Sequence, residues 1–294
     1  MKIVKFSKSY DNVLDIKKDF YNQNSKNLKS ILKINSYYKK QVPRKKCKNC
    51  NSKLGAKIFT SFKISYTLCD RCKHLNGIYE DTKKFVEFIY QDDGGKNYDR
   101  NYLNDFNNRV KDIYLPKVKF LKEIIKKKIN LIDIGSGGGH FLKALEVKKI
   151  PARGFEPNKS LVKLGSKKLK KNKIHNLDLE ETYEMILKSK QENTLSLIGV
   201  LEHLDKPQHM INLFKKSKLE YLYISVPLFS LSSIIENSFK TVFPRQLSGG
   251  HTHLYTKESL YYLAKKNNLN IIGEWWFGTD FPDFYRSLLN TSSN

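Results

Sequence analysis

The stretch Leu131–Leu145, L-I-D-I-G-S-G-G-G-H-F-L-K-A-L, decides the fold of this chain. It begins with apolar, β-prone residues, passes through four glycines, and continues with apolar residues at helical spacing. This order predicts a buried strand, a tight turn and an amphipathic helix, the first unit of a doubly wound α/β domain with a mostly parallel sheet. Glycines are needed where the backbone turns sharply with positive φ, and the following helix directs free N–H groups toward a ligand. The stretch therefore predicts a Rossmann-like domain that binds a nucleotide cofactor.

The glycine spacing separates two kinds of cofactor. A dinucleotide site with the fingerprint G-x-G-x-x-G would have glycine at position 140, where this chain has His140. The glycines instead lie at 135, 137 and 139, and Asp133 precedes the first of them by two residues. An acid at that point would repel a dinucleotide pyrophosphate. The pattern resembles motif I of class I S-adenosylmethionine (SAM)-dependent methyltransferases, which implies SAM as the cofactor, with Asp133 near its methionine part.

Carboxylates follow the next two predicted strands. The second strand, 152–155, ends at Glu156-Pro157, and Glu156 lies 21 residues after Gly135, where folds of this kind bind ribose hydroxyls. The alternative is a surface Glu before a proline that begins a helix. The third strand, 173–179, carries Asp178 at its end, which either lies beside the adenine or is a solvated turn residue. The predicted SAM site comprises Asp133, Gly135, Ser136, Gly137, Glu156, Pro157, Asp178 and Val200.

All four cysteines lie in two pairs, Cys47-x-x-Cys50 and Cys69-x-x-Cys72, with 18 residues between the pairs. This spacing is typical of a tetrahedral zinc site with four thiolate ligands. Residues 57–68 alternate in polarity like a β-hairpin, as a zinc ribbon requires. Four thiolates close the coordination sphere, so the predicted zinc is structural. Disulfides are the alternative, which a cytoplasmic chain disfavours.

Helical spacing of apolar residues predicts helices within 13–21 and 28–38, and no strand-like alternation is seen before residue 47. The predicted organisation is an N-terminal helical segment (1–46), a zinc ribbon (47–80), a helical connector (81–128) and a SAM-dependent methyltransferase domain (129–294).

Two further expectations concern the connector and the edge of the sheet. In the connector, the turn D-D-G-G at 92–95 precedes Tyr98 and Tyr102. Each of these tyrosines either lines the entrance of the cofactor site or packs in the core.

The apolar pattern of residues 270–277 predicts a sixth strand of the main sheet. Only 17 residues follow it, which leaves little room for a seventh strand.

The net charge of +25 raises the question of nucleic-acid binding. Lysine supplies 47 of the 54 basic residues, whereas sites that read phosphate or bases depend on the bidentate fork of arginine. The lysines are also spread along the whole chain. We therefore expect a small-molecule acceptor, and keep an RNA partner as the alternative.

No signal peptide is recognisable at the start of the sequence, because the first ten residues lack a continuous apolar run. The longest uncharged run, 221–235, is too short and too rich in Ser and Pro to span a bilayer. We expect a cytoplasmic protein without a membrane span; its oligomeric state stays open.

Candidate catalytic residues follow the fourth predicted strand, 194–200, where open α/β sheets place their ligands. There Glu202 and His203 form a pair in which a neutral imidazole acts as a general base and the acid supports its charge. The alternative is a histidine that caps the next helix. Two more candidates, His251 and His253, would share one face of a strand and act together or not at all.

The string V-L-E-H-L-D-K-P, which contains Glu202 and His203, resembles a motif of ubiquinone-pathway O-methyltransferases and of deoxysugar C-methyltransferases. The latter also carry an N-terminal zinc module, and their Glu-His pair is assigned to proton handling at the sugar. Together with S-V-P-L-F-S, H-T-H-L-Y-T and E-W-W-F-G-T-D, the arrangement resembles bacterial methyltransferases of surface-polysaccharide and nucleotide-sugar pathways. The resemblance covers roughly residues 40–290 and implies a nucleotide-linked sugar as the acceptor.

Two other functions stay open. Certain small-RNA 2′-O-methyltransferases hold Mg²⁺ or Mn²⁺ with E-x-x-E-H and a distant histidine, but this chain has Gly199 in place of the first glutamate. Glu202, His203 and one of the two later histidines would form only a partial site, because these hard cations prefer more oxygen ligands. The second alternative is an RNA-binding zinc-ribbon protein without catalytic activity.

Overall fold

The computed structural model describes residues 2–8, 23–91, 105–247, 251–278 and 280–291. The chain forms two compact units. The first comprises Met1–Ile89, Glu202–Pro207 and Pro227–Asn294, and the second comprises Tyr90–Leu201 and Gln208–Val226. Both are assembled from separated parts of the chain, whereas the sequence predicts contiguous segments. The predicted helix at 13–21, the turn at 92–95, Tyr98 and Tyr102 lie outside the described residues.

The elements of the described chain are numbered here in chain order. The strands are β1 (Ile3–Phe6), β2 (Lys57–Ser61), β3 (Ile64–Leu68), β4 (Leu75–Gly77), β5 (Leu131–Ile134), β6 (Ala152–Phe155), β7 (Lys173–His175), β8 (Thr194–Ile198), β9 (Tyr221–Ser225), β10 (His253–Leu254) and β11 (Gly273–Trp276). The helices are α1 (Asn24–Tyr38), α2 (Lys83–Gln91), α3 (Phe106–Arg109), α4 (Leu115–Ile124), α5 (His140–Val147), α6 (Lys159–Lys168), α7 (Leu179–Leu187), α8 (Pro207–Lys216), α9 (Leu231–Ser238), α10 (Lys257–Lys266) and α11 (Asp280–Thr291). A π-helical turn, Val110–Tyr114, joins α3 to α4, and a 3₁₀ turn, Leu201–His203, follows β8.

The second unit contains a parallel sheet of five strands in the order β7-β6-β5-β8-β9. The central strand β5 is fully buried, and Phe141 and Leu142 of α5 belong to the core beside it. The strand order reverses next to β5, and the carboxyl ends of strands at such a switch point form the usual ligand crevice of open α/β sheets. The predicted doubly wound α/β fold is therefore confirmed.

The predicted third strand is too long at its carboxyl end. Residues 173–179 were expected to be extended, but β7 ends at His175 and α7 begins at Leu179. Asp178 is the N-cap of α7, so local capping chemistry ends the strand earlier than its apolar pattern indicates.

The sixth strand belongs to a different sheet from the one predicted. β11 pairs in parallel with β1, with Ile3 opposite Gly273 and Phe6 opposite Trp276. The expectation of no strand before residue 47 is therefore wrong, as is the assignment of 270–277 to the main sheet. A four-residue strand has almost no periodic signal of its own, and its partner lies at the other end of the sequence.

The segment that the sequence predicts to be a zinc ribbon contains the predicted hairpin. β2 and β3 are antiparallel, and the turn residues Phe62 and Lys63 both have positive φ, as a tight hairpin turn requires. The sequence did not predict that β10 extends this sheet: it pairs antiparallel with β4, with His253 opposite Asn76. Across the described residues, no helix is both long and apolar enough to cross a membrane.

Substitution of Gly154 tests how tightly the second unit is packed. A Cβ at this position of β6 would lie 2.5 Å from both Leu142 Cδ1 and Ser136 Oγ. We predict that Gly154→Ala lowers the free energy of unfolding by about 1–3 kcal/mol, the usual range for overpacking a core. Chemical denaturation followed by circular dichroism measures this change.

The matched control is Gly138→Ala, because a Cβ there would first meet Leu164 Cδ2, a flexible side-chain end, at 3.1 Å. Its unfolding free energy should change much less. Equal losses in the two variants would contradict the proposed close contact between β6 and the glycine turn.

Candidate functional site

The glycine turn after β5 adopts a backbone that other residues rarely reach. The φ angles of Gly135, Gly137 and Gly139 are +62°, +52° and +79°. A Cβ on Gly135 would lie 2.6 Å from Val200 Cγ2, so the Val200 side chain packs against the turn. The N–H groups of Gly135 and Ser136 donate to the carbonyl of Phe155, at 2.9 and 3.2 Å, which holds the turn against the end of β6.

Glu156 lies at this turn and is buried. Its Oε2 accepts a hydrogen bond from Gly137 N at 2.8 Å, and its Oε1 accepts one from Asn158 N at 2.9 Å. Asn176 Nδ2 donates to the carbonyl oxygens of Glu156 and Pro157, at 3.0 and 2.9 Å. Asn176 is not among the predicted site residues, because the sequence predicts it inside the third strand, whereas β7 ends at His175 directly before it. These bonds fix the carboxylate beside the glycine turn, whereas the ring of Pro157 is exposed.

Asp133 is buried at the carboxyl end of β5 and accepts a hydrogen bond of 2.6 Å from Ser196 Oγ. Burial raises the pKa of Asp133 to about 7; the Ser196 hydrogen bond opposes the shift and the Glu156 charge adds to it. A cationic group bound nearby would favour the ionised form. Asp133 is therefore suited to a ligand that carries positive charge.

The residues at this turn fit a nucleoside cofactor of the predicted kind. Three glycines with positive φ shape the turn, and the Glu156 carboxylate beside it is an acceptor of the kind that binds hydroxyl groups. The hydroxyl of Ser136 is buried and has no hydrogen-bond partner among the described residues. Because buried polar groups are normally satisfied, this orphaned oxygen is consistent with a ligand at the turn.

Asp178 has a structural role in α7. Its side chain accepts from Glu181 N at 2.9 Å, and the Glu181 carboxylate accepts from Asp178 N at 2.8 Å, which completes a capping box. The side chain is exposed, and its carboxylate is already used in this cap. The adenine contact expected for Asp178 gains no support from this geometry.

The four cysteines are buried and come together, as the spacing predicts, with their sulfur atoms all within 4.8 Å of one another. The Sγ atoms of Cys47 and Cys72 are 3.6 Å apart, and those of Cys50 and Cys69 are 3.5 Å apart. A tetrahedral zinc with zinc–sulfur distances of about 2.3 Å has sulfur–sulfur edges of about 3.8 Å. The donor set and its spacing therefore fit zinc.

Two asparagines support these thiols and were not predicted. Asn76 Nδ2 donates to Cys47 Sγ at 3.5 Å, and Asn49 Nδ2 donates to Cys72 Sγ at 3.6 Å. Hydrogen bonding to the Cys72 thiol lowers the pKa of Cys47 to about 5. Amide donors of this kind stabilise thiolate charge, as the groups around a metal site usually do.

Glu202, His203 and His251 form a cluster in the first unit, each with a ligand atom within 4.8 Å of the others. His203 Nε2 lies 4.0 Å from Glu202 Oε1, and the rings of His203 and His251 are 5.0 Å apart. His251 Nδ1 lies 2.9 Å from the carbonyl of Gln246, so the proton must be on Nδ1 and Nε2 keeps its lone pair. Burial lowers the pKa of His251 to about 4, which keeps this ring neutral.

His253 does not behave like His251, contrary to the prediction. β10 begins at His253, so His251 precedes the strand and the period-two rule does not relate the two side chains. His253 is fully buried, and its Nδ1 lies 2.8 Å from Nε2 of His74. Burial lowers the pKa values of both rings, that of His74 to about 3. This pair is a buried contact between β10 and the residue that precedes β4.

Comparison with known proteins places the chain among enzymes. Residues 106–274, more than half of the sequence, match the family described as a methyltransferase domain. No curated protein matches the chain.

Similar solved structures include a SAM dependent methyltransferase from Archaeoglobus fulgidus, with 23% identity and a TM-score of 0.40. The match covers 52% of this chain and 66% of that one, so this chain spans slightly under two thirds of that protein's length. The plantazolicin methyltransferase BpumL in complex with SAH has 16% identity, coverage of 71% and 89%, and a TM-score of 0.47. Magnesium protoporphyrin IX methyltransferase from Synechocystis PCC 6803 with bound SAH has 13% identity, coverage of 63% and 89%, and a TM-score of 0.47.

Proposed function

We propose a reaction for this chain, which belongs to the methyltransferase domain family and is therefore a SAM-dependent methyltransferase. It methylates a small molecule, and Glu202 and His203 act as the general-base pair. The observation that carries the proposal is the placement of a buried carboxylate 4.0 Å from a half-buried imidazole. A sugar linked to a nucleotide is the proposed acceptor. That part rests on the sequence resemblance, which is an associational argument.

The proposed cofactor site is the glycine turn with Asp133 and Glu156. Glu156 would accept hydrogen bonds from the ribose hydroxyls, because its carboxylate is already oriented by the N–H groups of Gly137 and Asn158. Asp133 would offset positive charge on the methionine part. Bound SAM supplies an electrophilic methyl group on a sulfonium. The protein then has to hold the acceptor in line and remove its proton.

We predict that Glu156→Ala weakens SAM binding by about 1–3 kcal/mol, the value of a lost charge-assisted hydrogen bond, measured by isothermal titration calorimetry. Glu180→Ala is the matched control, since Glu180 is an exposed acid in the first turn of α7 and should bind SAM normally. Thermal unfolding of both variants checks that the turn is intact. Binding of NAD without binding of SAM would overturn the cofactor assignment.

The electrostatics around His203 favour its use as a base. The Glu202 carboxylate stabilises the imidazolium that forms when His203 takes a proton from the acceptor. The neighbouring ring of His251 is neutral, so it does not oppose that positive charge. His251 Nε2, with its lone pair, can instead accept a hydrogen bond and orient the acceptor.

The acceptor is tested with SAM that carries a labelled methyl group, incubated with a panel of nucleotide-sugars and separately with total RNA. We predict that label enters a nucleotide-sugar and that His203→Ala lowers the rate by about 10²–10⁴-fold, the usual contribution of a general base. Added imidazole should restore part of the rate in that variant. SAM affinity should not change.

His209→Ala is the control, because His209 is an exposed histidine on α8 that contacts the ring of Tyr183. Label in RNA, with binding that weakens steeply as salt rises, would replace the sugar proposal with the RNA alternative. Label in neither pool would contradict both acceptors.

The composition of the Glu202–His203–His251 cluster also favours a second role for it, the binding of a metal ion. Two imidazoles and one carboxylate suit a transition metal better than Mg²⁺, which prefers oxygen ligands. A ligated His203 has no lone pair left to accept a proton. The base and the metal ligand are therefore exclusive roles, and the metal content of the protein distinguishes them.

We infer a structural zinc at the four cysteines, and predict about one zinc per chain by elemental analysis of the purified protein. Cys69→Ser should lose the metal and much of the stability, because removal of one thiolate opens the coordination sphere. His251→Ala is the paired variant and should keep the full metal content. A second equivalent that disappears in His251→Ala would favour the metal role of the cluster, and full metal in a quadruple Cys→Ser protein would refute the zinc assignment.

A further inference from the structure

Helices α9 and α11 of the first unit pack against each other with their polar sides inward. We call them the inverted pair. Their fully or almost fully buried side chains are polar or charged: Ser232, Ser233 and Glu236 on α9, and Asp283, Arg286 and Ser287 on α11. A helix on the surface of a protein in water normally buries its apolar stripe and exposes its polar side.

Ion pairs fill the interior of the inverted pair. Arg286 Nη2 lies 3.2 Å from Glu236 Oε1, and Arg245 makes a two-pronged contact with Asp283, at 3.0 and 2.7 Å. Glu236 also accepts from Gln246 N at 2.7 Å. Burying charges is costly unless they are paired in this way. The ion pairs therefore explain why the polar sides of both helices can face inward.

The outer side of the inverted pair is apolar and exposed. Leu231 and Ile234 of α9 are 58% and 57% exposed, and Phe281, Phe284 and Tyr285 of α11 are 75%, 40% and 46% exposed. Leu288 and Leu289 add to this side. Contiguous apolar surface of this kind marks a site of interaction.

Among the described charged residues of α9, of α11 and of the residues just after α9, the exposed charge is positive. The acids Glu236 and Asp283 point inward, whereas Lys240, just after α9, is exposed. In the sheet of β1 and β11, Lys5 Nζ lies 4.5 Å from the ring of Trp275, and Lys8 Nζ, just after β1, lies 5.9 Å from the ring of Phe277, just after β11. Aromatic rings and lysines side by side are typical of segments that lie at the surface of a membrane.

We propose that the outer side of the inverted pair docks on an anionic lipid surface, with the apolar side chains inserted at the level of the headgroups. Helices of 8 and 12 residues are too short to span a bilayer, so they would lie in its plane. A net charge of +25 attracts the chain to anionic lipid but repels a second copy of the same chain. The charge therefore favours the membrane over a dimer as the partner of this surface.

The test is co-sedimentation of the full-length protein with vesicles made of equal parts phosphatidylglycerol and phosphatidylcholine, and with vesicles of phosphatidylcholine alone. The wild-type chain should bind the anionic vesicles. The triple variant Ile234→Ser, Phe281→Ser and Tyr285→Ser should bind them at least roughly tenfold more weakly, because its charge is unchanged and only apolar surface is lost.

A control triple variant changes exposed apolar residues elsewhere, Ile58→Ser, Val147→Ser and Leu187→Ser, and should bind like the wild type. All three altered residues in each variant are exposed, and circular dichroism confirms that both variants fold. The proposal fails if the wild type does not bind, or if both variants bind equally well. It also fails if analytical ultracentrifugation shows a wild-type dimer that only the first triple variant disrupts, since a second copy would then cover this surface.

Discussion

The glycine turn after β5 leaves no room for side chains on the elements that approach it. A Cβ at Gly154 would collide with Ser136, and a Cβ at Gly165 of α6 would lie 2.2 Å from Ile174 and 3.1 Å from the carbonyl of Gly138. This close packing brings the end of β6, and with it Glu156, to the turn. The hydrogen bond from Gly137 N to Glu156 then couples the backbone of the turn to the carboxylate that we assign to the ribose. The conformation of the turn and the proposed binding of the ribose therefore both depend on the packing of β6 against the turn.

In the first unit, hydrogen bonds join the cysteine cluster to a distant segment. Asn76 donates to Cys47 and lies opposite His253 in the pairing of β4 with β10. His253 in turn contacts His74, two residues after Cys72. The four-stranded sheet that contains β4 and β10 thus holds the segment that includes His251. A zinc ion at the cysteines would stabilise that segment without taking part in chemistry, which agrees with a closed coordination sphere.

The inverted pair shows that the periodicity of apolar residues along a helix does not determine which side of the helix faces the protein interior. The pattern of α11 predicts an amphipathic helix, and in isolation its aromatic side would be placed in the core. The ion pairs of Arg286 with Glu236 and of Arg245 with Asp283 reverse this, because they provide buried partners for the polar side. Partners fifty and thirty-eight residues away along the chain carry no local signal.

The sequence by itself determined the α/β fold, the glycine turn with Asp133 and Glu156, and the hairpin between the two cysteine pairs. Each depends on neighbours close in the chain: apolar periodicity, glycine spacing and Cys-x-x-Cys loops. Only the tertiary structure decided that β1 pairs with β11, that His253 is buried against His74 while His251 meets His203, and that Asp178 caps α7. These outcomes depend on pairing between distant segments, or on competition between two uses of one side chain, and neither leaves a periodic trace in the sequence.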